Sequence, residues 1–502
     1  MAKICICLTA KTLGQNLRIL EKYRKHVDIA ELRVDCLDPD ERLLIRRFPE
    51  QANVPVILTI RRDVDGGHFV SGEGTRINLM ARGLAYADVD RRKNFAYIDI
   101  EDDISVPSIE EAARTFGTRI IRSYHNVKGD AGNLSAKIRS MLQAGDEIVK
   151  LGIAAKSTWD VLGLLRVAKE FKGREKILIA MGHYGVYSRI LAEQFGSVLS
   201  YTSPVAEKDS VRAAPGQFDP EMLARIYRFR NITTATKIYG IAGYPLAFTG
   251  NPQFFNSVFE MENIDAVYVP FPVDSITACM ELAKELGIEG LSVTSPYKES
   301  VEPFLGERSP EVQKTGSCNT LSLCPQGWLG TNTEGRAFSD SILETLGRQN
   351  LKRVRATVIG AGCAARAVAL ELHRLGAKAL ILNRTARKAR VLAHPYRFAW
   401  GGLDTSDVES MGRYSDLIIQ ATPAGMEGSD PVENYSFTGK EEVLDLVYGS
   451  RITPFLRRAA DAGCRIHNGR DMFTRQAKFQ YAQFVGREFP EHLLTKVQFG
   501  ED

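Results

Sequence analysis

A chain of 502 residues, 44% apolar and 25% charged, is long enough for two or three globular domains and contains no apolar run of transmembrane length. Its formal charge of +4 is too mild to point to nucleic acid or a membrane surface, and leaves small acidic molecules as the compatible partners. The eight cysteines have no C-x-x-C spacing, so neither a metal site nor a redox pair is suggested, and with a short apolar start that falls below signal-peptide length the expected compartment is cytoplasmic.

β-Rich runs recur from the start, at 4–8, 29–34, 56–60, 96–100, 119–123, 147–151, 176–180 and 198–202. Helical patterning fills most of the intervals, as at 109–116, 134–144, 161–171 and 188–195. Eight strands alternating with helices predict a (β/α)8 barrel, whose reactive groups gather at the carboxyl ends of the strands. Those ends carry Glu31, Arg33, Arg61, Asp99, Glu101, His125 and Lys150, and Arg189 and Gln217 follow the last two strands. Arginines suit a carboxylate through paired hydrogen bonds, and His125 can move protons near neutral pH. Lys150 interrupts the apolar run EIVKLGIA. A strand-end lysine ordinarily snorkels to solvent. One held among apolar side chains favours its neutral form, the nucleophile that condenses with a ketone, and the company at this mouth favours that expectation.

The motifs ELRVD, TIRR followed by DGG, YIDIE, SYHN, IVKLG, Tyr187-Ser188-Arg189 and APGQ make the first roughly 225 residues resemble type I 3-dehydroquinate dehydratase. The resemblance implies a Schiff base on Lys150, with His125 as general acid and base and Glu101 orienting it. It also implies that Glu31, Arg33, Arg61, Arg189 and Gln217 hold the substrate. Ala213 departs from the serine that family members carry before APGQ. The loop 206–218 is expected to act as a lid.

A helical, arginine-rich segment at 220–231 should close the barrel, and a short polar join at 232–236 leads to a strand at 237–243. Further strands are expected near 266–269 and 290–293. The strand before Gly360-Ala361-Gly362-Cys363-Ala364-Ala365 and the helix after it, running through Leu375, supply the context of a dinucleotide fingerprint. Its first glycine makes the turn, its second admits the pyrophosphate, and the helix start offers backbone N–H groups. The next strand ends in Asn383-Arg384-Thr385 rather than in an acid, with Arg387 and Lys388 following. Guanidinium groups there favour a 2′-phosphate, hence NADP.

The second half resembles shikimate dehydrogenase through VTSPYK, GSCNT, GTNTE, VIGAGCAAR, NRT, ATPAGM, DLVY and GRDMFTRQA. The resemblance implies Lys298 and Glu334 as the catalytic pair, with Thr249, Asn251, Thr294, Asn319, Tyr448 and Gln476 at the substrate. Gly360, Ala361, Gly362, Ala365, Asn383, Arg384, Thr385, Thr422 and Met472 would bind the cofactor. The family's histidine-serine-x-serine-proline signature here reads Phe248-Thr249-Gly250-Asn251-Pro252, its usual aspartate is Glu334, and Cys363 replaces a glycine. The expected α/β organisation is a TIM barrel over 1–232, a substrate-binding domain over 237–340, a Rossmann domain over 341–475 and a helical segment over 476–502 returning to the substrate domain. The expected function is bifunctional: dehydration of 3-dehydroquinate, then NADPH-dependent reduction of 3-dehydroshikimate. A quinate-preferring second half and a metabolite-sensing regulator are the alternatives. Retention of Lys150, His125 and Lys298, without a basic DNA-binding segment, favours the enzyme.

Overall fold

The computed structural model describes residues 1–497 except 86, 130–131, 143–145, 206, 209, 247–249, 426–427 and 448–451. The chain forms two compact units: Met1–Leu246 with Phe259–Ile288, and Ala247–Val258 with Glu289–Asp502. No helix among the described residues is long and apolar enough to cross a membrane.

The first unit contains eight parallel strands: β1 (Lys3–Leu8), β2 (Ile29–Arg33), β3 (Val56–Thr59), β4 (Tyr97–Glu101), β5 (Arg119–Asn126), β6 (Ile148–Ala154), β7 (Lys176–Met181) and β8 (Leu199–Thr202). They neighbour one another in the order β7-β6-β5-β4-β3-β2-β1-β8. At the seam between β8 and β7, Val198 N–H donates to the Lys176 carbonyl at 2.9 Å and Leu178 N–H to Ser197 Oγ at 3.1 Å, closing the barrel at its lower end. Both faces of these strands are covered, which is why they read as apolar runs rather than as alternation. Cys5, Ile29, Ile57, Ile121, Ile148 and Ile177 fill the interior.

Two strands run further than the sequence predicts. β5 continues through His125 to Asn126 and β6 through Lys150 to Ala154, because polar residues inside a barrel occupy inward positions of a strand without ending it. Two helices are shorter. The one expected at 188–195 is Val186–Ile190, and the one expected at 220–231 is Pro220–Arg225, followed by Arg228 in left-handed backbone at φ 48°. This unit also holds the parallel pair β9 (Lys237–Gly243) and β10 (Ala266–Pro272) and the helix Ile276–Leu286. That helix docks on the barrel helix Thr158–Glu170. Thr158 caps onto Asp274 through its N–H at 2.9 Å, and Arg166 meets Glu281 at 3.1 Å.

In the second unit, β11 (Ile288–Val293), β13 (Thr320–Cys324), β14 (Gly327–Thr331) and β12 (Leu305–Arg308) lie side by side in that order. A second sheet comprises β15 (Arg355–Ile359), β16 (Lys378–Leu382), β17 (Ala399–Gly401), β18 (Leu417–Gln420), β19 (Glu442–Asp445) and β20 (Arg465–His467). All its pairs are parallel, in the order β17-β16-β15-β18-β19-β20. This doubly wound order reverses between β15 and β18, so a crevice opens there at the carboxyl ends of the strands. The helix Arg470–Val485 follows β20.

Candidate active sites

Residues two apart in a barrel strand face the same way, so Glu31 and Arg33, Asp99 and Glu101, and Ser123 and His125 all point inward. Pairing sets Ser123 beside Lys150 and His125 beside Gly152. A Cβ on Gly152 would lie 3.1 Å from His125 Cδ2, so the bare glycine is what lets the imidazole pack over β6. A cavity of about 230 Å³ results, lined among others by Cys7, Glu31, Arg33, Arg61, His125, Lys150, Arg189 and Gln217. Ala213, Ala214 and Pro215 of the expected lid also line it.

Lys150 is buried, and its surroundings are acidic rather than apolar. Nζ donates to Asp99 Oδ2 at 2.9 Å, lies 3.5 Å from Glu31 Oε1 and sits 4.3 Å from the centre of the Tyr201 ring. Burial pulls the lysine down, but the carboxylates of Asp99 and Glu31 outweigh it and hold Lys150 above its ordinary value as an ammonium. The expectation of a neutral amine is therefore corrected. His125 moves the other way: burial first, then Arg61 and Lys150, push it well below its ordinary value, so it is a neutral base at pH 7.

The expected Glu101–His125 contact is absent. Glu101 Oε1 accepts from Arg61 Nη1 at 2.7 Å and Oε2 from Arg76, so both oxygens are spent on buried guanidiniums, and Glu101 does not line the cavity. His125 Nδ1 is buried without a partner. Arg61 lines the cavity but is already engaged by Asp99 at 2.8 Å as well as Glu101, and Arg33 forms a paired contact with Asp35 at 3.0 and 2.7 Å. Arg189 differs from both. Among the described residues its guanidinium reaches only the carbonyls of Ala180 at 2.7 Å and Pro215 at 3.2 Å, its Nε has no partner there, and burial lowers its pKa to about 10. A buried cation without a counter-ion facing a cavity is a receptor for an anion. Gln217 accepts from Ala214 N–H at 3.1 Å through Oε1.

Asp99 and Tyr201 hold the Lys150 amine; the sequence places Asp99 at the barrel mouth without assigning it to the lysine, and does not single out Tyr201. The i, i+2 alternation of β4 was the available signal for Asp99.

In the second unit, Lys298 Nζ donates to Glu334 Oε1, so the additional methylene of the glutamate still reaches the lysine. Glu334 Oε2 is buried without a partner. Asn332 Oδ1 accepts from Glu334 N–H at 3.0 Å and sets the first residue of the helix Glu334–Leu346. Asn319 is spent on structure: Oδ1 accepts from Thr333 N–H at 2.9 Å and Nδ2 donates to Thr333 Oγ1 at 3.0 Å. Asn251, at the start of the helix Asn251–Met261, is buried with Oδ1 unpartnered. Thr294 and Gln476 are half-buried on the turn after β11 and on the C-terminal helix. Thr249 and Tyr448 lie outside the described residues. Sequence reasoning missed Gln480, which accepts from Ser292 at 2.9 Å and donates to Thr320 at 3.0 Å, tying the C-terminal helix to β11 and β13.

Gly360, Ala361, Gly362, Asn383, Arg384, Thr385 and Thr422 line one cleft of about 520 Å³ at the switch point, together with Lys388. Gly360 has φ 123° and approaches the Ala421 carbonyl, where a Cβ would come within 2.9 Å, so the turn admits no other residue. Gly362 faces open space at the start of the helix Cys363–Arg374, whose first N–H groups have no side-chain cap. Cations line this cleft and, among the described residues, no carboxylate does. Ala365 and Met472 are buried in the hydrophobic core beside the cleft and are not among the residues that line it.

Family models match in three stretches: type I 3-dehydroquinase over residues 4–234, shikimate dehydrogenase substrate binding domain over 241–321, and shikimate / quinate 5-dehydrogenase over 342–427. A bifunctional 3-dehydroquinate dehydratase/shikimate dehydrogenase of Arabidopsis thaliana, named as chloroplastic, is 27% identical over 98% of this chain and 84% of its own length. A shikimate dehydrogenase (NADP(+)) of Syntrophobacter fumaroxidans is 32% identical over 51% of this chain and 90% of its own. The crystal structure of shikimate dehydrogenase from Aquifex aeolicus aligns with 53% of this chain and 98% of its own at 26% identity, with a TM-score of 0.49. The chain belongs to the shikimate dehydrogenase family through its second half and joins to it, in one polypeptide, a type I 3-dehydroquinase.

Proposed function

We propose that the chain carries out two consecutive reactions, dehydrating 3-dehydroquinate to 3-dehydroshikimate in the barrel and reducing that ketone to shikimate in the second half. The observation that carries the reading is the barrel cavity, where a buried lysine amine and a neutral histidine face a buried arginine that lacks a counter-ion. Arg189 takes the substrate carboxylate. Lys150 surrenders a proton, with neutral His125 as the available base, and its amine adds to the ketone carbon; loss of water leaves an imine. His125 then removes the C–H proton beside the imine carbon and returns it to the departing β-hydroxyl, which leaves as water. A second water hydrolyses the imine and frees Lys150. Asp99 and Glu31 stabilise the positive charge of the resting Lys150 ammonium and of the protonated imine formed from it.

In the second half the donor set of the cleft fits NADP: a glycine turn and helix start for the pyrophosphate, and Arg384 with Lys388 for the 2′-phosphate. When bound, the cofactor supplies the hydride. Lys298 delivers the accompanying proton to the ketone oxygen, and the unpartnered Oε2 of Glu334 is free to accept a substrate hydroxyl. Asn251, buried with its oxygen unpartnered, is the residue we assign to the substrate's polar substituents. All eight cysteines are free thiols, in keeping with a cytoplasmic compartment.

A coupled assay tests the whole reading. The intact chain given 3-dehydroquinate should consume NADPH without any added enzyme. Consumption with 3-dehydroshikimate alone would remove the dehydratase, no consumption with either would remove the dehydrogenase, and faster NADP reduction by quinate than by shikimate would reassign its substrate.

A further inference from the structure

We infer that Arg366 is a positioning residue for Lys298, fastening the turn that carries the proton-transfer lysine to the helix that begins at the nucleotide fingerprint. The inference rests on the assignment of Lys298 to proton transfer and extends it to a residue that plays no part in that assignment.

Arg366 is the fourth residue of the helix Cys363–Arg374, one turn in from Gly362. From there its guanidinium reaches two separate segments. Nη2 donates to Glu299, the residue next to Lys298, and Nη1 donates to the Thr315 carbonyl at 3.1 Å. Those segments are also joined to each other, because Cys318 N–H donates to the Lys298 carbonyl at 2.7 Å. The Lys298 main chain is thus held from one side by the 315–318 segment, and both are held by one side chain from the cofactor helix.

Stability alone explains this grip poorly. The Glu299 side chain is 58% exposed, so its ion pair contributes little free energy. Arg366 Nε is buried without a partner, which is a cost. What the arrangement does provide is a fixed spacing between the fingerprint turn and the Lys298–Glu334 pair. Proton delivery depends on that spacing, since displacement of about 1 Å can cost on the order of a hundredfold in rate. The same spacing is reinforced at Gly335, where a Cβ would lie 3.3 Å from Glu371 of the cofactor helix.

The test measures shikimate oxidation by the full chain in Arg366→Ala, Arg366→Lys and Glu299→Gln. Dehydratase turnover of the same samples reports that the barrel has folded, and a direct NADP titration reports both cofactor affinity and the folding of the unit that carries Arg366. Arg366→Ala should lower kcat about tenfold or more, with the KM for shikimate and the Kd for NADP within about twofold of the parent. Arg366→Lys, able to satisfy one partner, should recover part of the loss, and Glu299→Gln, which keeps an acceptor for the guanidinium, should lose less than Arg366→Ala. A weakened NADP Kd with kcat preserved would make Arg366 a cofactor ligand and overturn the inference. Unchanged kinetics would overturn it too, as would equal losses in the alanine and lysine variants. A parent chain that never oxidises shikimate would instead refute the function assigned to the site.

Discussion

The two lysines that face the proposed chemistry sit in opposite kinds of electrostatic surroundings. Lys150 is embedded in a dense buried network in which Asp99, Glu31, Arg61, Ser123 and Glu101 each hold at least one neighbour, and the spare capacity lies in the unpartnered Nε of Arg189 and Nδ1 of His125. Lys298 has a single carboxylate, and the spare capacity lies on that carboxylate's second oxygen. A lysine that must become a nucleophile is stored charged and close to a neutral base. A lysine that gives up a proton needs only one partner to aim it. The comparison shows that burial alone does not decide a lysine's state: desolvation lowers the Lys150 pKa, yet two carboxylates reverse the sign.

The sharpest way to break the contrast is Lys150→Ala. Dehydratase turnover should fall on the order of 10³-fold or more, while shikimate oxidation by the same sample stays within about twofold. Borohydride with 3-dehydroquinate should add mass to the parent at Lys150, read by peptide mass spectrometry, and adduct persisting in the variant would place the imine elsewhere. Glu334→Asp probes the other lysine. Because the glutamate already reaches Lys298, shortening it should open the pair and lower the kcat of shikimate oxidation about 10- to 100-fold; an increase would mean that this site is not adapted to the longer acid.

Much of the barrel site was legible because each polar residue interrupts an apolar strand at a countable position, so eight runs and period-two alternation brought Glu31, Arg33, Arg61, His125 and Lys150 to one mouth. The partner choices were not legible. Glu101 and Asp99 sit on the same face of β4, and which one meets the lysine depends on depth in the barrel and on Arg76, which arrives from a helix 25 residues away in sequence. In the second half, the strand–glycine–helix order disclosed the cofactor cleft, but Met472 reads equally well as ligand or core. The sequence carries no packing, and in the structure Met472 is buried in the core.

Gly152→Ala offers a smaller perturbation. The added methyl must displace His125, so the dehydratase kcat should fall about tenfold while imine trapping on Lys150 persists. Loss of trapping would show that the strand itself had moved.

The mildest effect is on pH dependence. His125 is held below its ordinary value of 6.5, so the unfolded chain takes up a proton at this position before the folded one does. The stability it contributes is therefore present above pH 6.5 and declines as pH falls from there toward the folded value. Thermal melts of the chain followed by circular dichroism should shift to lower temperature between about pH 7 and 5, and His125→Gln should flatten that slope. An equal slope in the variant would assign the acid sensitivity to other groups.

The clasp between the helices Thr158–Glu170 and Ile276–Leu286 bears on how such a protein can be taken apart. The polar join at 232–236 invites a cut, yet residues 259–288 beyond it are ion-paired to the barrel through Glu281 and Glu285. Severing the gene at that join would leave each product with an unmatched charged face. The join at 232–236 is a seam in the sequence that lies inside the first compact unit, not at its edge.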